Sequence, residues 1–337
     1  MSYDSPGKKL WRYISPILLY YGVMLAVSFV GSFVITYQLS GSMASMDMEE
    51  FTQELILRSL EASVPIYLIS GLAALPFLIR MFFKDMTYRK YVGDKAGLKK
   101  WTLVYCLLAG VFCSLAASLL AALSQAGQVF EGYENASQTI FSQSVLMQIV
   151  AAGVVMPIVE EYIFRGLMYN RMKDYMSANM AMIISSVIFG LYHGNLIQGV
   201  YGFVMGLLMI FVYEKYQTML APVLCHIGAN MISIVLQFLN IQLDSVMVAV
   251  MAAAVCLVAA YLLLRLIQKQ IHVGTVLNKR YIDAGLDSNT SYGNHTDYFT
   301  NNDSSRDRSA SEGTYRKSGT GYSVDDYYPK TKDDNQE

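Results

Sequence analysis

Apolar runs of about 20 residues recur along the chain with short polar breaks between them, and about 20 residues of helix are what a bilayer core demands. They lie near Tyr13 to Leu39, Val64 to Phe83, Trp101 to Leu123, Val145 to Met172, Asn179 to Tyr192, Leu196 to Tyr213, Leu220 to Leu239 and Val246 to Ile267. The pattern predicts an all-α, polytopic membrane helix bundle of about eight transmembrane helices, the fifth of them short and the fourth long. From about Gly274 the apolar pattern stops, and Asn, Asp, Ser, Thr, Gly, Lys and Tyr take over. Such a segment cannot bury enough apolar surface to offset its chain entropy. Residues 1–272 are therefore expected to form the transmembrane domain, and 273–337 a disordered cytoplasmic tail.

Composition agrees with a lipid solvent: 54% of residues are hydrophobic, 15% are charged, and mean hydropathy is +0.35. The net charge is −1, and the basic residues fall in a few loops, which gives no footprint for nucleic acid. Their placement predicts orientation instead, because loops on the cytoplasmic side carry the excess of lysine and arginine. Arg80, Lys84, Arg89, Lys90, Lys95, Lys99 and Lys100 cluster in one break, whereas Asp47, Glu49, Glu50 and Glu54 occupy the break before it and Glu131 and Glu134 the break after. Arg171, Lys173, Lys215 and Arg265 fall on the side of Lys8, Lys9 and Arg12. Eight spans with both termini cytoplasmic satisfy every loop. The first apolar stretch is longer than a signal-peptide core and is expected to be retained as a span. The four cysteines lie within apolar runs without metal or redox spacing and read as small buried hydrophobes.

An ionisable side chain at the centre of a membrane helix costs about 2.5–3.5 kcal/mol on insertion scales, so each one asks for a reason. Those in this chain gather in three spans. The fourth contains Glu160, Glu161 and Arg165, the fifth ends at Phe189 to Gly194 with His193 inside, and the seventh carries His226 and Asn230. Positions four apart share a helix face, so Glu161 can pair with Arg165, while Glu160, turned by about 100°, has no partner on its own helix. A carboxylate so placed is a candidate general base. His226 and Asn230 are also four apart, and together they can donate to a developing oxyanion.

In this order and on separate predicted helices, Glu160-Glu161-x-x-x-Arg165, Phe189-x-x-x-His193 and His226-x-x-x-Asn230 resemble the motifs of the CAAX prenyl protease and bacteriocin-processing family, also called Abi or type II CAAX endopeptidases. The resemblance covers roughly Val145 to Leu239. It implies an intramembrane endopeptidase in which Glu160 and His193 activate a water, His226 and Asn230 stabilise the tetrahedral oxyanion, and Glu161 with Arg165 holds the site in shape. Members of the family are often labelled metalloproteases, and Glu160, His193 and His226 would also make a plausible zinc shell. Metal-free catalysis is the favoured expectation, with no cofactor, since no HExxH helix is present. The expected partners are membrane-embedded or membrane-associated peptides, lipidated ones included, and the lipid bilayer. A bacterial plasma membrane is the expected location. Two other classes fit the same residues: a catalytically silent scaffold or bacteriocin-immunity protein that binds a peptide, and a proton-coupled transporter using Glu160, His193 and His226 as a relay.

Overall fold

The computed structural model describes residues 4–41, 47–87, 89–92, 100–123, 143–239, 245–270 and 275–278. Among the described residues eight helices make the bundle: α1 (Pro6–Ser40), α2 (Met48–Met86), α3 (Val104–Leu123), α4 (Val145–Met172), α5 (Ala178–Tyr192), α6 (Leu196–Tyr216), α7 (Leu220–Leu239) and α8 (Val246–Gln270). Seven of them are long and apolar enough to cross a membrane, and the chain is an integral membrane protein; α5, with 15 residues, is the short one. At about 1.5 Å per residue α5 falls short of a bilayer core of about 30 Å.

Helix α2 outruns its apolar window by the most. It begins 16 residues before Val64, because Asp47 and Glu50 form a reciprocal capping box and Glu54 pairs with Arg58 at 2.8 Å, which supports helix in an acidic, exposed stretch. Nearly all of the segment expected to be a tail lies outside the described residues. Its beginning differs from the expectation, since Thr275–Asn278 pairs antiparallel with Arg89–Val92. Threonine, valine and leucine in that short run favour an extended partner-bound backbone over a solvated one.

The fourth helix is the axis of the bundle. It packs against α1, α2, α5, α6 and α7, and from Ile163 to Asp174 every residue is buried. Val159, Ile163, Phe164 and Leu167 meet Tyr20 of α1, Leu78 and Phe82 of α2 and Phe189 of α5 in one core. A helix apolar on all sides is one that other helices surround.

At the far side α3 and α7 touch backbone to backbone. A Cβ at Gly110 would lie 1.9 Å from the Cys225 carbonyl oxygen, and one at Gly228 would lie 2.3 Å from that of Leu107. Small residues permit this approach, and membrane helices use it to gain dispersion contact where lipid offers no hydrophobic driving force. Gly110→Ala is expected to destabilise the protein by about 1–3 kcal/mol through overpacking. Gly22→Ala, where no atom lies within 4 Å, should be neutral or slightly stabilising. Thermal unfolding in detergent, followed by labelling of the buried Cys106 and Cys225 thiols, separates the two; equal midpoints would contradict the close crossing.

One end of the bundle is tied by charge. Asp174, in the α4–α5 turn, accepts from Arg12 at 3.0 Å and Arg89 at 3.1 Å, while Arg171 pairs with Asp85 and Lys173 with Glu214. Just before α1, hydrogen bonds from Lys8 and from the Tyr175 hydroxyl hold Asp4 at about 2, below the usual carboxylate range. This end joins α1, α2, α4 and α6, and it carries Arg12, Arg89, Arg171 and Lys173.

Candidate active site

The first two site residues owe their setting to an irregular helix. Within α4, Ile149–Val155 and Tyr162–Tyr169 adopt the wider i→i+5 hydrogen-bonding pattern, and the six residues Met156–Glu161 between them are ordinary α-helix. Such widened turns recur at functional sites, because they release carbonyls and re-aim side chains. An asparagine amide satisfies the released groups in each. Asn230 Nδ2 donates to the Ala152 carbonyl at 2.8 Å, and Asn170 Nδ2 reaches the carbonyls of Arg165 at 3.0 Å and Gly166 at 3.1 Å.

Glu160 and Glu161 leave this short α-helical piece in different directions. Glu161 is fully buried, and its Oε1 accepts from Arg165 Nη1 and from His226 Nδ1, both at 2.8 Å. The pair read from the four-residue spacing is therefore present, and it extends to α7. The Arg165 guanidinium lies 4.2 Å from the centre of the Phe189 ring, a cation–π contact that offsets part of its burial. Glu160 is partly buried, with Oε2 placed 3.7 Å from His226 Nε2, beyond a hydrogen bond. The His226 ring thus stands between two carboxylates. Its Nδ1 is held by Glu161, and its Nε2 is turned toward Glu160.

His193 ends α5, and Gly194, at φ +74°, turns the chain into α6, which Asn195 caps by accepting from the Gln198 amide. A residue with a Cβ is strained at that φ. The His193 ring packs on Gly202 of α6, where a Cβ would come within 3.3 Å of Nδ1. That nitrogen is 2.8 Å from the Phe189 carbonyl oxygen. A carbonyl only accepts, so Nδ1 carries the hydrogen and Nε2 of the neutral ring is free to accept. Phe189 links both imidazoles: its ring centre lies 4.9 Å from that of His193 and 5.8 Å from that of His226, each edge to face.

The structure thus brings Glu160, Glu161, Arg165 and His226 into one cluster, with Phe189 and His193 beside it. Among the described residues His193 makes no hydrogen bond or ion pair with Glu160. Asn230 shares the α4-facing side of α7 with His226, and one of its donors is already taken by Ala152. Glu160, His193 and His226 do not meet as a ligand set: among the described residues no group of three or more His, Cys, Asp and Glu is arranged to hold a metal ion. The residues present do not fit the zinc shell.

Several neighbours have no signature in the sequence. Tyr20 of α1 is fully buried, its hydroxyl donates to the Met156 sulfur at 3.9 Å, and together with Tyr21 it lies within electrostatic reach of Glu160. Asn170, whose amide also meets the Tyr213 hydroxyl at 2.7 Å, looks like a polar residue near a helix end until its partners are known. Proline 157 could have been found, since a proline inside a span announces released carbonyls one turn earlier.

Residues 142–232 match the sequence profile of the type II CAAX prenyl endopeptidase Rce1-like family. Over 95 residues the chain is 30% identical to a Bacillus subtilis (strain 168) protein named "Putative membrane peptidase YdiL"; the match spans 28% of this chain and 39% of that protein. No solved structure matches the chain. The profile match falls on the segment that carries the three motifs.

Proposed function

We propose that the protein is an intramembrane endopeptidase that hydrolyses membrane-associated peptides with a water activated by Glu160. The observation that carries this reading is the Glu161–His226–Glu160 arrangement. A buried, paired carboxylate orients one nitrogen of an imidazole, while a second carboxylate, with no hydrogen-bond partner among the described residues, faces the other nitrogen at 3.7 Å. The match of residues 142–232 to the type II CAAX prenyl endopeptidase family supports the same assignment.

The chemistry follows from the protonation each contact permits. Glu160 takes a proton from a water positioned with the help of His193 Nε2, which the Phe189 carbonyl leaves free to accept. The resulting hydroxide attacks the scissile carbonyl carbon, and the C–O bond forms as the carbonyl electrons move to oxygen. His226 in its protonated form, its Nδ1 anchored on Glu161, offers Nε2–H to that oxyanion, and the remaining N–H of Asn230 offers a second donor. The proton held by Glu160 then passes to the leaving amine as the C–N bond breaks. No covalent enzyme intermediate and no metal is needed. A site within the membrane selects peptides that reach it from the bilayer, lipidated C-termini among them. The basic end of the bundle, with Arg12, Arg89 and Arg171, faces the cytoplasm in this reading.

Detergent-purified protein is expected to cleave members of a panel of membrane-associated peptides, as read by mass spectrometry of the products. Cleavage should persist at full rate after dialysis against a strong zinc chelator. Loss on chelation and recovery on adding zinc would replace the metal-free route, and uptake of a solute driven by a pH gradient without cleavage would point to a transporter.

A further inference from the structure

The first widened segment of α4 has an identifiable chemical cause. In a helix the Ala152 carbonyl can be reached by the amide four residues on, at Met156, or five residues on, at position 157. The Met156 N–H donates to Ala151 instead, and position 157 is proline, which has no N–H. A carbonyl left open in lipid costs several kcal/mol unless another donor arrives. The donor is Asn230, reaching across from α7 at 2.8 Å. Gly153 lets α7 come near enough, since a Cβ there would sit 2.7 Å from the Met231 sulfur.

From this geometry we propose that Pro157 is a positioning residue for the hydrolytic site, acting through the Ala152 carbonyl on the Asn230 amide. With one N–H spent on Ala152, the plane of the amide is set and the second N–H has a single direction. The same cross-link fixes the register of α4 against α7. That register places Glu160, three residues beyond Pro157, opposite His226 at 3.7 Å. The proposal rests on the peptidase reading above, and it assigns to Pro157 a task that the three motifs leave without a residue.

Alanine at position 157 restores an N–H that can bond within the helix, frees Asn230 and narrows the segment. Pro157→Ala is expected to lower kcat about 10- to 100-fold, the scale of a misplacement of about 1 Å, with KM about unchanged. Its unfolding midpoint should equal or exceed that of the wild type, because a proline in a helix interior is costly, so the loss would not be one of folding. Asn230→Ala is expected to cost about 10²- to 10³-fold in the wild-type background, as removal of an oxyanion donor does, and far less when added to Pro157→Ala. A second readout does not depend on turnover. Labelling alanine carbonyls with carbon-13 and glycine amides with nitrogen-15 reports only the five Ala–Gly pairs of the chain, one of them Ala152–Gly153. The Ala152 carbonyl resonance should move upfield in Asn230→Ala. An unmoved resonance, a Pro157→Ala protein with wild-type kcat, or an equal cost of Asn230→Ala in both backgrounds would each overturn the proposal. Should the wild type and Glu160→Ala fail to differ in cleavage, the peptidase reading falls and the catalytic role of Pro157 with it, while the resonance still decides whether the Asn230–Ala152 link exists.

Discussion

Glu160→Ala is expected to lower peptide cleavage by about 10²- to 10⁴-fold, the contribution of a positioned general base, while leaving the unfolding midpoint close to that of the wild type. The two halves of this expectation come from one observation. The Glu160 side chain is 12% exposed, and its nearest ionic neighbour, His226 Nε2, is 3.7 Å away. No hydrogen bond is lost on truncation, so the fold has little to lose. Glutamine keeps the shape and removes the base, and Glu160→Gln should be as inactive as Glu160→Ala. The measurement is product formation from a cleaved panel peptide, with thermal unfolding in parallel. Activity near wild type in either variant would remove Glu160 from the mechanism, whereas no cleavage by wild type or variant would return the site to the peptide-binding scaffold reading.

Arg165→Leu should have the opposite profile, with a large loss of stability and activity lost along with it. Arg165 and Glu161 are 1% and 0% exposed in their side chains, and Glu161 Oε2 has no hydrogen-bond partner. Removing the guanidinium strands a carboxylate in a membrane-buried core, for which about 3–5 kcal/mol is the usual cost of breaking a buried pair. Replacing both members, as in Glu161→Gln with Arg165→Met, removes both charges and should recover much of that stability. Activity should stay low in the double variant, because a neutral amide holds the His226 Nδ1–H more weakly than a carboxylate does. Unfolding in detergent and cleavage by the same samples provide the two readouts. A double variant that regains full activity would show that Glu161 serves the fold alone and does not orient His226.

The motifs were legible in the chain because each obeys a local rule. Glu161 and Arg165 are four apart on one helix, and such a pair meets whatever surrounds it. The same spacing placed His226 and Asn230 on one face of α7. Ionisable groups in a membrane span are costly, so the three spans that carry glutamate or histidine stood out from the others, where only Arg80 and Arg265 occur, each within a turn of a span end. What no spacing could reveal is which neighbour each group meets. Glu160 faces His226, His193 turns its Nδ1 to the Phe189 carbonyl, and Asn230 spends a donor on Ala152. Nor could spacing show that Phe189 carries Arg165 on its face and both imidazoles at its ring.

By itself the sequence determined the membrane setting, the approximate positions of the helices and the three segments that carry the motifs. These depend on hydropathy over about 20 residues and on contacts within one helix turn, both properties of short stretches of chain. The tertiary structure alone decided that α4 is the axis, that its backbone widens on both sides of Glu160 and Glu161, that Tyr20 of α1 belongs to the surroundings of the site, and which neighbour Glu160, His193 and His226 each meet. Each of these depends on how far one helix is rotated and shifted against another. In lipid that register is set by small-residue crossings such as Gly110 on Cys225 and by carbonyls that need a donor from a neighbouring helix, interactions between positions that lie up to more than 100 residues apart in the chain.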